Sequence, residues 1–321
     1  MLPSQKHIDP HVHCRDWKQD YKATIKEVTG LARSHGVVAI FDMPNTDPPI
    51  ISKYYVEERL KLAKDEGCFE GYYLYIGATN NSNQIKEAVE VATTNPKVVG
   101  IKYFTTGKGV LALTDESDQR KLYETLAECK YTGVLSVHCE KEKLFKNYRW
   151  NPQRPWSWND ARPPEAEIEA VKDQIEFATE AGFEGNLHIL HVSTPGTVDI
   201  VDKARKNIRI TCGATPHHLL NSTSDMRGKA GIMLKVNPPL RKKQDMFSLR
   251  QDLKNGEIDW IETDHAPHKP IEKLYFYTSG IPSLKDYSFL LQNLRDCGFS
   301  EKEISDLTYG NIKKVFTKVI E

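Results

Sequence analysis

The sequence predicts an α/β fold, a (β/α)8 TIM barrel, and three observations carry that expectation. Short β-branched or aromatic runs alternate with longer amphipathic runs in strict order, and the short runs number eight. Strictly alternating strands and helices imply parallel strands joined by crossover helices, and eight such strands close a barrel. The third observation is that polar residues collect where the short runs end, not in their middles. Strands buried on both faces read as nearly continuous apolar segments.

The strands are expected at His7–His13, Val37–Pro44, Tyr72–Ala78, Val98–Phe104, Val134–Cys139, Leu187–Val192, Ile208–Ala214 and Asp259–Ala266. Between them lie helical patterns at Tyr21–His35, Ser52–Glu66, Gln84–Thr94, Glu116–Lys130, Glu165–Ala181 and Pro195–Lys206. The Pro- and Trp-rich stretch Asn151–Pro164 reads as a long loop after the fifth strand, because the repeat resumes beyond it. A second long irregular loop follows the eighth strand, from Pro267 to about Pro282. No low-complexity linker interrupts the pattern, so residues 1–321 are expected to form one domain.

Composition excludes several classes of partner. The 44 basic residues equal the 44 acidic ones, which gives no reason to expect nucleic acid or an anionic membrane. No stretch approaches the ~18 apolar residues that span a bilayer, and the amino terminus lacks the apolar region of a leader peptide. The six cysteines are scattered, with no CxxC pair, as expected of reduced thiols in a cytoplasmic enzyme. Trp150, Trp156 and Trp158 are expected to pack the long loop, and the charged runs Glu57–Glu66 and Lys141–Lys146 to be solvated helix faces.

In a barrel enzyme the site lies at the C-terminal rim. The strand ends carry, in order, His11 and His13, Asn45, Lys102, His138, His191, His217 and His218, then Asp264, His265 and His268. A strand places residues i and i+2 on one face, so His11, His13 and Arg15 point together towards the barrel axis if the strand stays extended. A lone histidine is usually structural. Several histidines and an aspartate at different strand ends converge on one place only if the barrel forms, and there they can hold divalent cations.

Lys102 is the unusual member. An ammonium cannot ligate a cation, but a desolvated lysine has a depressed pKa, and its neutral amine can add CO₂. The resulting carbamate is an anionic oxygen ligand able to bridge two metals. The competing reading is a structural lysine paired with Asp264. Imidazole, carboxylate and carbamate donors suit zinc best, though manganese or cobalt would also fit. Two such cations can share a bridging water and lower its pKa.

The words of the sequence resemble a known family. His7-Ile-Asp-Pro-His-Val-His-Cys-Arg15, Met43-Pro-Asn-Thr46, Gly100-Ile-Lys-Tyr-Phe104 and His138-Cys-Glu140 occur in order. They are followed by His188-Ile-Leu-His-Val-Ser-Thr194, Thr215-Pro-His-His-Leu219, Val236-Asn-Pro-Pro-Leu-Arg241 and Thr263-Asp-His-Ala-Pro-His268. Together they resemble the signature set of the dihydroorotases, within the amidohydrolase superfamily. The resemblance implies that His11, His13 and Asp264 hold one zinc ion and His138 and His191 a second, with carbamylated Lys102 bridging. It implies that Asp264 is the catalytic acid and base, serving a metal-bridging hydroxide. Arg15, Asn45 and His268 would grip the substrate's α-carboxylate, with Asn237 as a further contact. The implied reaction is the reversible cyclisation of N-carbamoyl-L-aspartate to L-dihydroorotate in pyrimidine biosynthesis. Members of the family are often dimers, so a homodimer is compatible with the resemblance.

The chain departs from the family in places. The first strand begins at His7 and little follows the last helical run, so little or no accessory β-sandwich is expected. Where some relatives use an aspartate in an Asp-Asp-Gly turn instead of the carbamate, this chain has Thr105-Thr106-Gly107, which favours the lysine. The segment Thr105–Leu113 is either a loop closing on substrate, with Thr105 or Thr106 as donor, or an ordinary loop. Gly280-Ile-Pro-Ser-Leu284 matches the family's substrate turn only in part.

Two other readings compete. Hydantoinases, dihydropyrimidinases and allantoinases share the barrel and metal set but resemble this chain less at Arg15. A non-catalytic scaffold organising a partner such as aspartate transcarbamoylase would be expected to lose metal ligands, and none is lost here. Whether His217 and His218 serve a further metal stays open.

Overall fold

The computed structural model describes residues 6–228 and 230–319. The amino-terminal residues 1–5, expected to carry no leader, lie outside the described residues. Eight strands run in chain order: β1 (His7–Val12), β2 (Val37–Asp42), β3 (Tyr72–Gly77), β4 (Val98–Phe104), β5 (Val134–His138), β6 (Asn186–Ile189), β7 (Ile210–Ala214) and β8 (Trp260–Ile261). Each pairs in parallel with the next. The seam between β8 and β1 is crossed by a parallel bridge from Val12 to His265, with His13 N donating to His265 O at 2.9 Å. The result is a nearly closed (β/α)8 barrel, and every named strand among the described residues belongs to it.

Burial explains the apolar strands. All six residues of β1 and of β3 are buried, as two covered faces require. Helices such as Ile25–Ser34, Lys53–Asp65, Ser82–Thr94 and Glu116–Glu128 cover the outside. The first starts at a capping box in which Thr24 accepts from Glu27 N while the Glu27 side chain accepts from Thr24 N. From β2, β3 and β8, Phe41, Tyr75 and Trp260 close on Phe316. Among the described residues no helix is long and apolar enough to cross a membrane.

Several boundaries differ from expectation, each for a local reason. β8 is two residues long instead of Asp259–Ala266, because Thr263 N donates to the Asp9 carboxylate rather than to a neighbouring strand. β6 stops at Ile189 instead of Val192, because His191 turns left-handed and gives its N–H to Glu262. β1 ends before Arg15, so extension does not deliver that side chain. Two helices for which the sequence reading names no pattern, Lys243–Asn255 and Tyr287–Asp296, follow β7 and β8, and a short helix, Pro270–Leu274, lies within the second long loop.

Arg59 is a further correction. Within the run Glu57–Glu66 it is fully buried, not solvated. Its Nε and NH2 donate to Asp42 Oδ2 at 3.0 and 2.7 Å, its NH1 lies 3.4 Å from Asp16 Oδ2, and Trp17 stacks 5.0 Å away. Removing one partner of a buried ion pair strands the other charge. Arg59→Met is therefore expected to destabilise the fold by about 3–5 kcal/mol in denaturant unfolding. A loss below about 1 kcal/mol would show that the network is dispensable.

Candidate metal centre and active site

A cavity of about 560 Å³ opens at the C-terminal ends of the strands. His11, His13, Asn45, His138, His191 and Asp264 line it, as do Arg15, Asn237 and His268. The barrel therefore brings together every expected site residue except Lys102, which is fully buried outside the cavity lining.

β1 presents two imidazoles to one carboxylate. His11 Nε2 lies 3.2 Å and His13 Nε2 3.0 Å from Asp264 Oδ1. The three residues offer ligand atoms all within 4.8 Å of one another, a grouping able to hold a metal ion. The far nitrogen of His13 is set by Asn45, whose Oδ1 is 2.8 Å from Nδ1. Beside this group, His138 Nδ1 and His191 Nε2 approach to 2.9 Å, and the His191 ring is centred 5.3 Å from that of His11. A chain of ligand-type side chains thus runs from His13 through Asp264, His11 and His191 to His138.

Lys102 projects from β4 close to the second pair. Its Nζ donates to Tyr103 O at 2.7 Å and sits 3.8 Å from the centre of the Phe104 ring, which in turn lies 5.7 Å from that of His138. Among the described residues it forms no ion pair with Asp264, so the structural pairing considered for it is absent. Burial lowers its pKa to about 7, which leaves a sizeable neutral fraction at neutral pH.

Burial also lowers the pKa of His11, His13, His138 and His191, with His13 at about 3. Neutral imidazoles have the lone pair that a metal requires. Burial raises the Asp264 pKa, against the attraction of His11 and His138.

Three site residues stand at left-handed φ: Arg15 at 67°, His191 at 41° and Asp264 at 46°. Such backbone costs of order 1–3 kcal/mol per residue and persists only where surroundings impose it. At Arg15 the surroundings are explicit. Cys14 N donates to Asp42, Asp16 N donates to Ala23 O, and Ile25 N donates to the Asp16 carboxylate. This strap swings Arg15 into the cavity, where its NH2 is 3.3 Å from His268 Nε2. Among the described residues, Arg15 Nε and His268 Nδ1 have no hydrogen-bond partner and no carboxylate pairs with Arg15, while Glu272 Oε2 stands 3.5 Å from His268 Nδ1. Elsewhere in the lining, Trp158 Nε1 donates to Asn237 Oδ1 at 3.0 Å.

Three residues escaped the sequence reading. Glu140 accepts from His138 Nε2 at 2.9 Å and from the Arg162 guanidinium. Burial opposes its ionisation, but Arg162 and His138 outweigh that and hold its pKa at about 2. Glu262 lies fully buried behind His11 and His191. Glu140 and Glu262 each stand two residues from a site residue, His138 and Asp264, so the period of a strand was the available signal.

Other candidates have structural work. Thr105 Oγ1 donates to His138 O and Glu140 O, and Thr106 Oγ1 to Glu142. His218 lies against Thr215 and Pro238 O, and His217 against Ser283. Neither histidine joins the metal-type group among the described residues.

No family model matches the chain. A dihydroorotase of Aquifex aeolicus (strain VF5) is 35% identical over 271 residues, covering 83% of this chain and 61% of the relative. One of Halobacterium salinarum is 30% identical over 317 residues, covering 96% and 71%. The chain thus spans less than two thirds of the first relative's length. Among solved structures, the L-hydantoinase of Arthrobacter aurescens matches with a TM-score of 0.84 at 23% identity, over 98% of this chain and 71% of that one. A dihydroorotase of Campylobacter jejuni matches at 0.73 and 16% identity, over 97% and 83%. At these identities the solved structures speak to the fold alone.

Proposed function

The chain belongs to the dihydroorotase family, and from that premise we propose that it interconverts N-carbamoyl-L-aspartate and L-dihydroorotate at the mouth of its barrel. One observation carries the reading. Arg15 is a buried cation without an ion-pair partner among the described residues, lining the cavity that holds His11, His13 and Asp264. An uncompensated buried charge costs several kcal/mol, and an arriving carboxylate would remove that cost while matching the guanidinium fork. Hydantoin and dihydropyrimidine rings offer no carboxylate there, which favours dihydroorotate over those alternatives.

His11, His13 and Asp264 would hold one zinc ion and His138 and His191 another. The donor set fits, since its imidazoles are neutral and two of them share a carboxylate oxygen. Neutral Lys102 would attack CO₂ through Nζ, forming an N–C bond and releasing one proton, and the carbamate would complete the set as the bridge. When bound, the ions would supply water ionised near neutral pH and polarise the carbonyl under attack.

The chain's own groups do the rest. Asp264 takes the proton from the ureido nitrogen as the ring closes and returns it as the ring opens. Arg15 and His268 grip the α-carboxylate, with Asn45 beside them also fixing His13. Asn237, whose carbonyl oxygen is occupied by Trp158, would offer its amide N–H to the ring.

Arg15→Ala is expected to lower kcat/KM for dihydroorotate by about 3–4 kcal/mol, or roughly 10²–10³-fold, without conferring hydantoin hydrolysis. Steady-state assays on both compounds decide it. Undiminished turnover of dihydroorotate, or brisk hydantoin hydrolysis by the wild type, would transfer the chain to the alternative reading.

A further inference from the structure

We propose that Glu262 is a positioning residue for both halves of the metal centre: one buried carboxylate fixes the His191 turn and the tautomer of His11. The inference rests on the metal reading above but concerns a side chain that touches neither substrate nor, by that reading, metal.

The geometry is specific. Glu262 stands two residues before Asp264, fully buried. Its Oε1 accepts the His191 main-chain N–H at 2.5 Å. His191 is left-handed there and has left the strand, so without this acceptor its buried N–H would be orphaned. The same Oε1 lies 3.8 Å from His11 Nδ1, which has no hydrogen-bond partner among the described residues. Asp264 Oδ1 stands nearer, 3.2 Å from Nε2, so a cation seated there would take the Nε2 lone pair and leave the ring proton on Nδ1, facing the Glu262 carboxylate.

The carboxylate is held from behind. Oε2 accepts from His188 Nε2 at 2.9 Å and from Trp260 Nε1 at 3.3 Å, and His188 Nδ1 is anchored on Thr211 Oγ1 at 3.0 Å. Space for it comes from Gly213, where a Cβ would stand 2.5 Å from Glu262 Cδ and within 2.9 Å of both its oxygens. Carboxylates behind metal-binding imidazoles orient the ring and raise its basicity, and their loss typically costs 10–100-fold in metal affinity.

The test is zinc titration, in competition with a chromophoric chelator, of metal-stripped wild type, Glu262→Gln and Gly213→Ala, each melted metal-free alongside. The glutamine still offers an oxygen to the His191 N–H but no charge to His11, and the alanine displaces an intact carboxylate. Both variants are expected to bind zinc about 10–100-fold more weakly, with the metal-free Tm of Glu262→Gln within a few degrees of wild type. Affinities matching wild type overturn the proposal. An independent readout needs no Glu262 variant: a two-bond ¹H–¹⁵N spectrum of zinc-loaded wild type, with His11 identified by its loss in His11→Gln. A proton on His11 Nδ1 is expected, and a proton on Nε2 overturns the proposal. Wild-type protein that takes up no zinc removes the metal reading and this inference together, whereas variants that bind as tightly as wild type remove this inference alone.

Discussion

Asp264→Asn is expected to lower kcat by roughly 10³-fold or more in both directions, with dihydroorotate still bound. The amide keeps the shape of the side chain but loses two properties of the carboxylate. It is a poor metal ligand, and it cannot accept the ureido proton. His11 and His13 both converge on Asp264 Oδ1, so the change also weakens the oxygen donor that would share a cation with two imidazoles. Arg15 and His268 are untouched, and the α-carboxylate grip should survive. Assays in each direction, with calorimetric binding of dihydroorotate, separate the effects. A variant within tenfold of wild type in kcat would remove Asp264 from the chemistry.

Lys102→Arg is expected to be nearly as damaging, with activity down roughly 10³-fold and about half the zinc lost. Arginine keeps the positive charge but never deprotonates at accessible pH, so it cannot become a carbamate. The wild-type lysine is poised for that reaction because burial brings its pKa to about 7. Its neutral amine also gives up little, since its hydrogen-bond partner is the Tyr103 carbonyl and not a carboxylate. Native mass spectrometry of the wild type should show the added mass of one CO₂, lost on acidification. Zinc content measured on both proteins completes the test. A wild type without that mass, paired with a fully active Lys102→Arg, would make the lysine structural.

Both predictions lean on residues visible in the chain before any coordinates. His11, His13, Asp264 and Lys102 sit at strand ends, and strand ends of a barrel share one rim. That logic needs only the count of strands and their direction. It also located His138 and His191, although β6 stops short of the latter. Arg15 is different: extension was the expected route into the cavity, and the chain instead turns left-handed over a strap held by Asp16, Asp42 and Arg59. Arg59 itself read as part of a solvated charged run, because helix periodicity does not reveal a buried carboxylate on a neighbouring strand.

Alternation of apolar strand and amphipathic helix was enough, from the amino acids alone, to specify an eight-stranded barrel and the rim where its chemistry gathers, since both follow from local periodicity. Only tertiary structure decided which nitrogen of each histidine faces the cavity, that Arg15 has no ion-pair partner among the described residues, and that Glu140 and Glu262 stand behind the imidazoles. Those are relations between atoms far apart in the chain, and they arise where ladder hydrogen bonds give way to side-chain acceptors. Periodicity stops there, and long-range contacts take over.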